Sequence, residues 1–256
     1  MSTGQKTLSG SFDDLLGMLQ QQHDNNKIDI YLPSKGESVA SKKITVQQQS
    51  EILTGALKQE TRGNVFSYNS CITEIILKNC ADPEEISLLD KYPVILQLRV
   101  DTLGEHIEIN EETYNLHDHI TRALTGHVDT IDDLSTIHNH TTDTGITVTY
   151  RCPPLYIDYD INKSAELRWS KIDTEDIISE LFKVEMCKYI KSVEIEEAVL
   201  DFDELEFDQK IQICNTLPMS LTNVIVTFME EVKNVESVFL SLSGAQIPMN
   251  ASLFGS

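Results

Sequence analysis

The residues best equipped for chemistry are the seven histidines and five cysteines, and five of the histidines fall between residues 111 and 145. His117–Asp118–His119 and His138–Asn139–His140 each place two imidazoles at i and i+2. On a strand such a pair shares a face and could bind zinc; on a helix the two rings diverge. A closed structural site takes four ligands, and Cys152 lies near enough in sequence to supply one. His117, His119, His138, His140 and Cys152 are therefore the candidate metal ligands, of a zinc-stabilised module or a metal-dependent enzyme. A polar loop accounts for the same residues, and no pair has the i, i+3 or i, i+4 spacing of the familiar zinc motifs. The His138–Asn139–His140 triplet also spells a nuclease motif, but that motif needs its residues spread over a ββα unit that approaches a polyanion. A formal net charge of −21 opposes such an approach.

Other reactive patterns are missing. Asp201–Phe202–Asp203–Glu204–Leu205–Glu206–Phe207–Asp208 has the acidity of a calcium loop, yet Glu206 stands where an EF-hand requires glycine. No serine occupies a Gly-x-Ser-x-Gly elbow, and the glycines form neither a phosphate loop nor a dinucleotide fingerprint. The sequence names no catalytic residue and no cofactor, and the expectation is a protein that is not an enzyme.

Charge narrows the partners. A surface this acidic repels phosphate backbones, whose binding depends on Lys and Arg displacing counterions, and an anionic membrane leaflet as well. Nucleic acid and membrane are disfavoured, and protein partners are expected. Thirteen acids and only three bases lie between Asp173 and Asp208. That run is either a solvated face or a docking surface for a basic partner, with Glu194, Glu196, Glu197 and Glu204 as its candidate contacts. Five scattered cysteines without a CxxC pair suit a reducing cytoplasm. The first ten residues carry no apolar signal region, and the apolar runs fall short of the ~20 residues of a membrane helix, so a soluble cytosolic chain is expected.

Periodicity predicts an α+β fold, arranged as two small lobes. Residues 1–27 read as a mobile segment with one short helix, Phe12, Leu15, Leu16 and Leu19 forming its stripe and Gln20–Asn26 a polar linker. An N-terminal α+β lobe spans 28–110. Its strand Ile28–Leu32 alternates, Pro33–Gly36 turns, and Glu37–Ile44 returns. Helices follow from Thr45 to Gly63, from Ser67 to Cys80, and from about Asp90 to Gly104, a natural left-handed C′ residue; Glu105–Asn110 leaves as a strand. Residues 111–145 show little periodicity and read as a loop-rich insertion with one short helix. A C-terminal α+β lobe spans 146–243, with strands at Ile146–Tyr150 and Leu155–Tyr159. A helix capped by Thr174, a strand Ile190–Ile195, an acidic loop, and a long helix started by Pro218 complete it. Residues 244–256 form an apolar-tipped tail. Leu253 and Phe254 are anchors for a partner's groove, the favoured reading, or dock on the chain's own body, or belong to a disordered end.

Two stretches carry more than composition. One is Leu32–Pro33–Ser34–Lys35–Gly36 leading to the Thr45 helix; the other is Leu88–Leu89–Asp90–Lys91–Tyr92–Pro93, continuing through Leu98–Arg99 to Leu103–Gly104–Glu105. With Val148–Thr149–Tyr150–Arg151–Cys152–Pro153 and Leu217–Pro218–Met219–Ser220, they resemble the baseplate-hub assembly proteins of T-even-type contractile-tailed phages. The layout is also similar to that of tail-assembly chaperones. The resemblance implies a non-catalytic protein that binds phage tail or baseplate hub proteins, in the host cytoplasm during assembly or in the virion baseplate. Leu32, Pro33, Arg99, Gly104, Leu217 and Pro218 are its structural residues. Each also has a local role as turn, cap or helix start, and Arg99 on its apolar helix suits pairing with a carboxylate or capping of carbonyls, with a partner contact as the second reading.

Overall fold

The computed structural model describes residues 12–62, 65–169, 177–196, 198–247 and 251–254. Helix α1 (Phe12–Asn25) runs through the polar stretch expected to be a linker. Strands β1 (Lys27–Leu32) and β2 (Glu37–Lys42) pair antiparallel, with Ile30, Leu32 and Val39 turned into the core. Thr45 caps α2 (Val46–Arg62) reciprocally. Its hydroxyl accepts the Gln48 N–H at 3.1 Å, while the Gln48 side chain accepts the Thr45 N–H at 3.0 Å. The expected stop at Gly63 lies outside the described residues. Helix α3 (Val65–Asn79) packs on α2 where Gly55 brings the backbones together, a Cβ there meeting the Cys71 Cβ at 3.3 Å.

A 3-10 turn at Leu88–Asp90 leads into α4 (Lys91–Leu103), whose Pro93 sits in the first turn, where its missing N–H costs nothing. Gly104 closes α4 at φ 92° and ψ 168°. That differs from the expected left-handed cap and lies in a region open essentially to glycine alone. The hairpin β3 (His106–Ile109) and β4 (Glu112–Asn115) follows, turning through Asn110 and Glu111 at positive φ.

The segment expected to be loop-rich is instead dominated by α5 (Leu116–Leu134). The Asn115 side chain caps it by accepting the Asp118 N–H. Leu116, His119, Ile120, Ala123, Ile131 and Leu134 form its buried stripe. Its Thr, Asp and Gly126 are poor helix formers, and a departure from helical geometry at His127 bends the helix and interrupts the stripe's period. Packing on α4 and on the long C-terminal helix overrides those propensities.

Strands β5 (Ile137–Thr141) and β6 (Ile146–Arg151) come next. Residues 155–159, expected as a strand, open α6 (Leu155–Trp169). Leu155, Asp158, Ile161, Asn162 and Ala165 are its buried face, a helical spacing that Leu155, Ile157 and Tyr159 alone could not distinguish from alternation. Thr174, the expected cap of the next helix, lies outside the described residues. Helix α7 (Ile177–Tyr189) buries Val184, Met186 and Cys187 but leaves Ile178 and Phe182 exposed. Strands β7 (Ile190–Ile195) and β8 (Ala198–Asp201) complete an antiparallel sheet ordered β5-β6-β7-β8, so the expected acidic loop is partly strand. After α8 (Phe207–Cys214), the Pro218 carbonyl accepts from Leu221 and Thr222 to start α9 (Met219–Leu240), and Leu217 packs on the core before it. Leu221, Ile225, Phe228, Met229 and Val232 line the buried face of α9.

Strands β9 (Ser241–Leu242) and β10 (Ala245–Gln246) make a short hairpin, and α10 (Ala251–Phe254) returns to α2 and α4. Leu253 and Phe254 are each 1% exposed, so they are core residues of this chain and not free anchors for a partner. Burial of two large apolar side chains is worth roughly 1.5–3 kcal/mol apiece, which fixes this end.

Candidate functional site

The two stretches singled out in the sequence meet in space. Asp90 takes the Ser34 N–H at 2.8 Å and the Ser34 hydroxyl at 2.6 Å, and its carboxylate also accepts the Ser87 N–H at 2.8 Å. Gln97 accepts the Tyr31 N–H and donates to the Tyr31 carbonyl, both at 2.9 Å, acting as one rung of a missing neighbouring strand. The Leu32–Pro33 turn is thereby fastened to the start of α4. Asp90 is fully buried; burial pushes its carboxyl above the ordinary range, opposed by the bonds from Ser34 and Ser87. Arg99 serves the far end of α4. Its guanidinium donates to the carbonyls of Gly104, His106 and Leu253, so it caps a helix, holds β3 and secures the tail. Burial lowers its pKa from the usual value. Capping of carbonyls, one of the roles open to Arg99, is the one it performs.

A second constellation was not legible. Asp158, 1% exposed, accepts Lys188 Nζ at 2.8 Å and Asn162 Nδ2 at 2.9 Å on one oxygen, and Lys91 Nζ at 3.0 Å and Thr73 Oγ1 at 3.3 Å on the other. Lys188 also reaches Glu185 at 2.7 Å. One carboxylate therefore ties α3, α4, α6 and α7 together. Burial alone would raise the Asp158 carboxyl, but Lys188 and Lys91 hold it well below the usual range. Burial likewise works against the Lys188 ammonium, and Asp158 and Glu185 raise its pKa beyond the usual value. An ammonium so stabilised does not become the free amine that nucleophilic lysine chemistry requires.

The cluster borders a cavity of about 510 Å³ with Tyr68, Tyr92 and Met229 among its walls. Glu236 of α9 lines it, and burial pushes this carboxyl up to about 8, with Lys91 opposing. The only sequence signal for these groups was a charge inside an apolar run, as with Lys188 between Met186–Cys187 and Tyr189–Ile190.

The candidate metal ligands do not converge. Helix α5 points His117 to solvent and His119 inward, where its Nε2–H donates to the Phe239 carbonyl at 2.9 Å. His138 on β5 stacks on Tyr150 with ring centroids 5.4 Å apart and meets Phe228 at a tilt with centroids 5.0 Å apart. His140 is half-buried on the same strand. Cys152 is buried and accepts the Ser87 hydroxyl, and burial pushes its thiol up to about 12. Among the described residues no group of three His, Cys, Asp or Glu side chains could hold a metal ion.

The acidic candidates are on the surface. Glu194 lies on β7, Glu196 in the turn before β8 at φ 58°, and Glu204 in the 3-10 turn Phe202–Glu204; all three are exposed. Glu197 lies outside the described residues. Ile195, Val199 and Leu200 are 49%, 63% and 45% exposed beside them, Ile195 and Leu200 on one face of the hairpin and Val199 on the other with Glu194. Among the described residues no single helix is long and apolar enough to cross a membrane.

The family model described as T4 bacteriophage base plate protein matches residues 25–239. That range includes the Ser34–Asp90 fastening, the ionic cluster and the β7–β8 hairpin. No curated protein and no solved structure matches the chain.

Proposed function

From the membership of this chain in the T4 bacteriophage base plate protein family, we propose that it is a non-enzymatic hub-assembly factor or hub component that binds other tail proteins. The family match over most of the chain carries this reading. The surface supports it: a chain of net charge −21 that exposes Ile195, Val199 and Leu200 within an acidic border suits contact with a basic, partly apolar protein surface. The ionic cluster acts as internal framework, since Lys188 is held charged and the Asp158 carboxylate is bonded on both oxygens.

The test is capture by the tagged full chain from phage-infected cells, with mass spectrometry of purified particles alongside. The expected result is recovery of baseplate hub proteins, weakening as salt rises, because exposed charges are screened beyond about 8 Å at physiological ionic strength. Recovery of no tail protein under cross-linking would overturn the proposal.

A further inference from the structure

We propose that β8 is an addition site for an extended, lysine- or arginine-bearing segment of a partner protein, which pairs with its open edge as a fifth strand. This rests on the reading above and specifies how the contact is made.

The register decides which backbone groups are free. Ile195 pairs with Ala198 across a two-residue turn, Glu194 with Val199, and Val193 with Leu200. In such a hairpin the closing pair exchanges both hydrogen bonds and the next pair exchanges none. The N–H and C=O of Val199 therefore point away from β7, and no backbone bond to another described residue takes them. The three residues Ala198, Val199 and Leu200 are all exposed, so no described part of the chain covers this edge. The opposite edge differs: β5 packs against α9, with His138 on Phe228.

Exposed edges are ordinarily protected by lysine, proline, a bulge or a covering element. The strand Ala198–Asp201 is short and ends in the charged Asp201 but carries no lysine, proline or bulge, and Val199 and Leu200 add apolar contact. The border selects the occupant. Glu194, Glu196, Asp201 and Glu204 surround the strand, whereas the nearby Arg151 is engaged by Asp203 at 2.6 Å. A second copy would bring the same acids edge to edge and be repelled. A strand alternating valine or leucine with lysine or arginine would place its apolar groups on the face of Ile195 and Leu200 and its cations on the opposite face, beside Val199 and Glu194.

The probe is a capped hexapeptide alternating lysine and valine, added to the isotopically labelled full chain, with an alternating glutamate–valine peptide as the opposite-charge comparison. Amide spectra should show the lysine peptide shifting Val199 and its neighbours and slowing exchange of the Val199 amide, with affinity falling as salt rises. Val199→Pro removes only an outward N–H, a change an edge strand accommodates, and should weaken peptide binding about tenfold or more at unchanged melting temperature. Val199→Lys keeps the strand and should lose binding by repulsion, so the proposal stays testable if the proline variant folds poorly. Shifts elsewhere in the molecule, equal binding of both peptides, or full binding by Val199→Lys would overturn it. A partner captured equally well by wild type and Val199→Lys would refute the edge mode while leaving the assembly role standing; capture of no tail protein alongside peptide binding at β8 would do the reverse.

Discussion

Replacing Asp158 with asparagine tests the claim that one carboxylate organises the helical core. The substitution preserves volume, but asparagine offers one acceptor oxygen where Asp158 uses two to take four bonds. Its amide would also turn a donor toward an ammonium. Lys188 would keep Glu185, and Lys91 would keep only Asn69. Removing one partner of a buried pair and leaving its counter-charge uncompensated costs roughly 3–5 kcal/mol. At about 2–4 °C per kcal/mol for a chain of this size, the melting temperature should fall by roughly 6–20 °C. Calorimetry and urea unfolding at pH 7 measure this. The pH dependence gives an independent arm. The folded-state pKa of Asp158 is depressed, so its stabilisation is complete above the unfolded carboxylate value of about 3.9 and is lost as pH falls toward the folded one. The gap between wild type and variant should therefore narrow under acid. A variant within about 1 kcal/mol of wild type at pH 7 would refute the argument, since it would mean that the two lysines need no buried counter-charge.

Glu236 carries the opposite sign. Its folded-state pKa is raised to about 8 from an ordinary 4.5, so stability should decline as pH rises between those values. Glu236→Gln should match wild type near pH 5 and melt higher than wild type above pH 8; parallel pH profiles would refute this. Gly104→Val should cost about 1–3 kcal/mol of backbone strain, because φ 92° with ψ 168° excludes β-branched residues although no atom crowds the position; unchanged urea unfolding would place the end of α4 elsewhere. Deleting residues 250–256 should lower the melting temperature, since Leu253 and Phe254 together contribute roughly 3–6 kcal/mol of burial. An unaltered melting curve would return those side chains to the surface.

Local periodicity and end signals determined much of the architecture on their own. The alternation Ile28–Ile30–Leu32, the Thr45 cap, Pro93 in a first turn, the stop at Gly104 and the apolar face of α9 all follow from interactions within a few residues of each other. They required no knowledge of what lay across the core. The family resemblance was likewise carried by short stretches, although why those stretches belong together, through Ser34 and Asp90, needed the third dimension. Where local signals were weak or ambiguous, tertiary contacts decided. Helix α5 forms against its own Thr, Asp and Gly content because α4 and α9 give its stripe a surface to bury. Residues 155–159 are helical because Asp158 turns inward to two lysines that lie 67 and 30 positions away. Phe254 is core because Gln49, 205 residues distant, meets its carbonyl and α2 and α4 receive its side chain. Hydrogen bonds within a turn and apolar periods are encoded in neighbouring residues; a buried charge or a docked terminus is stable only through partners that the fold brings to it.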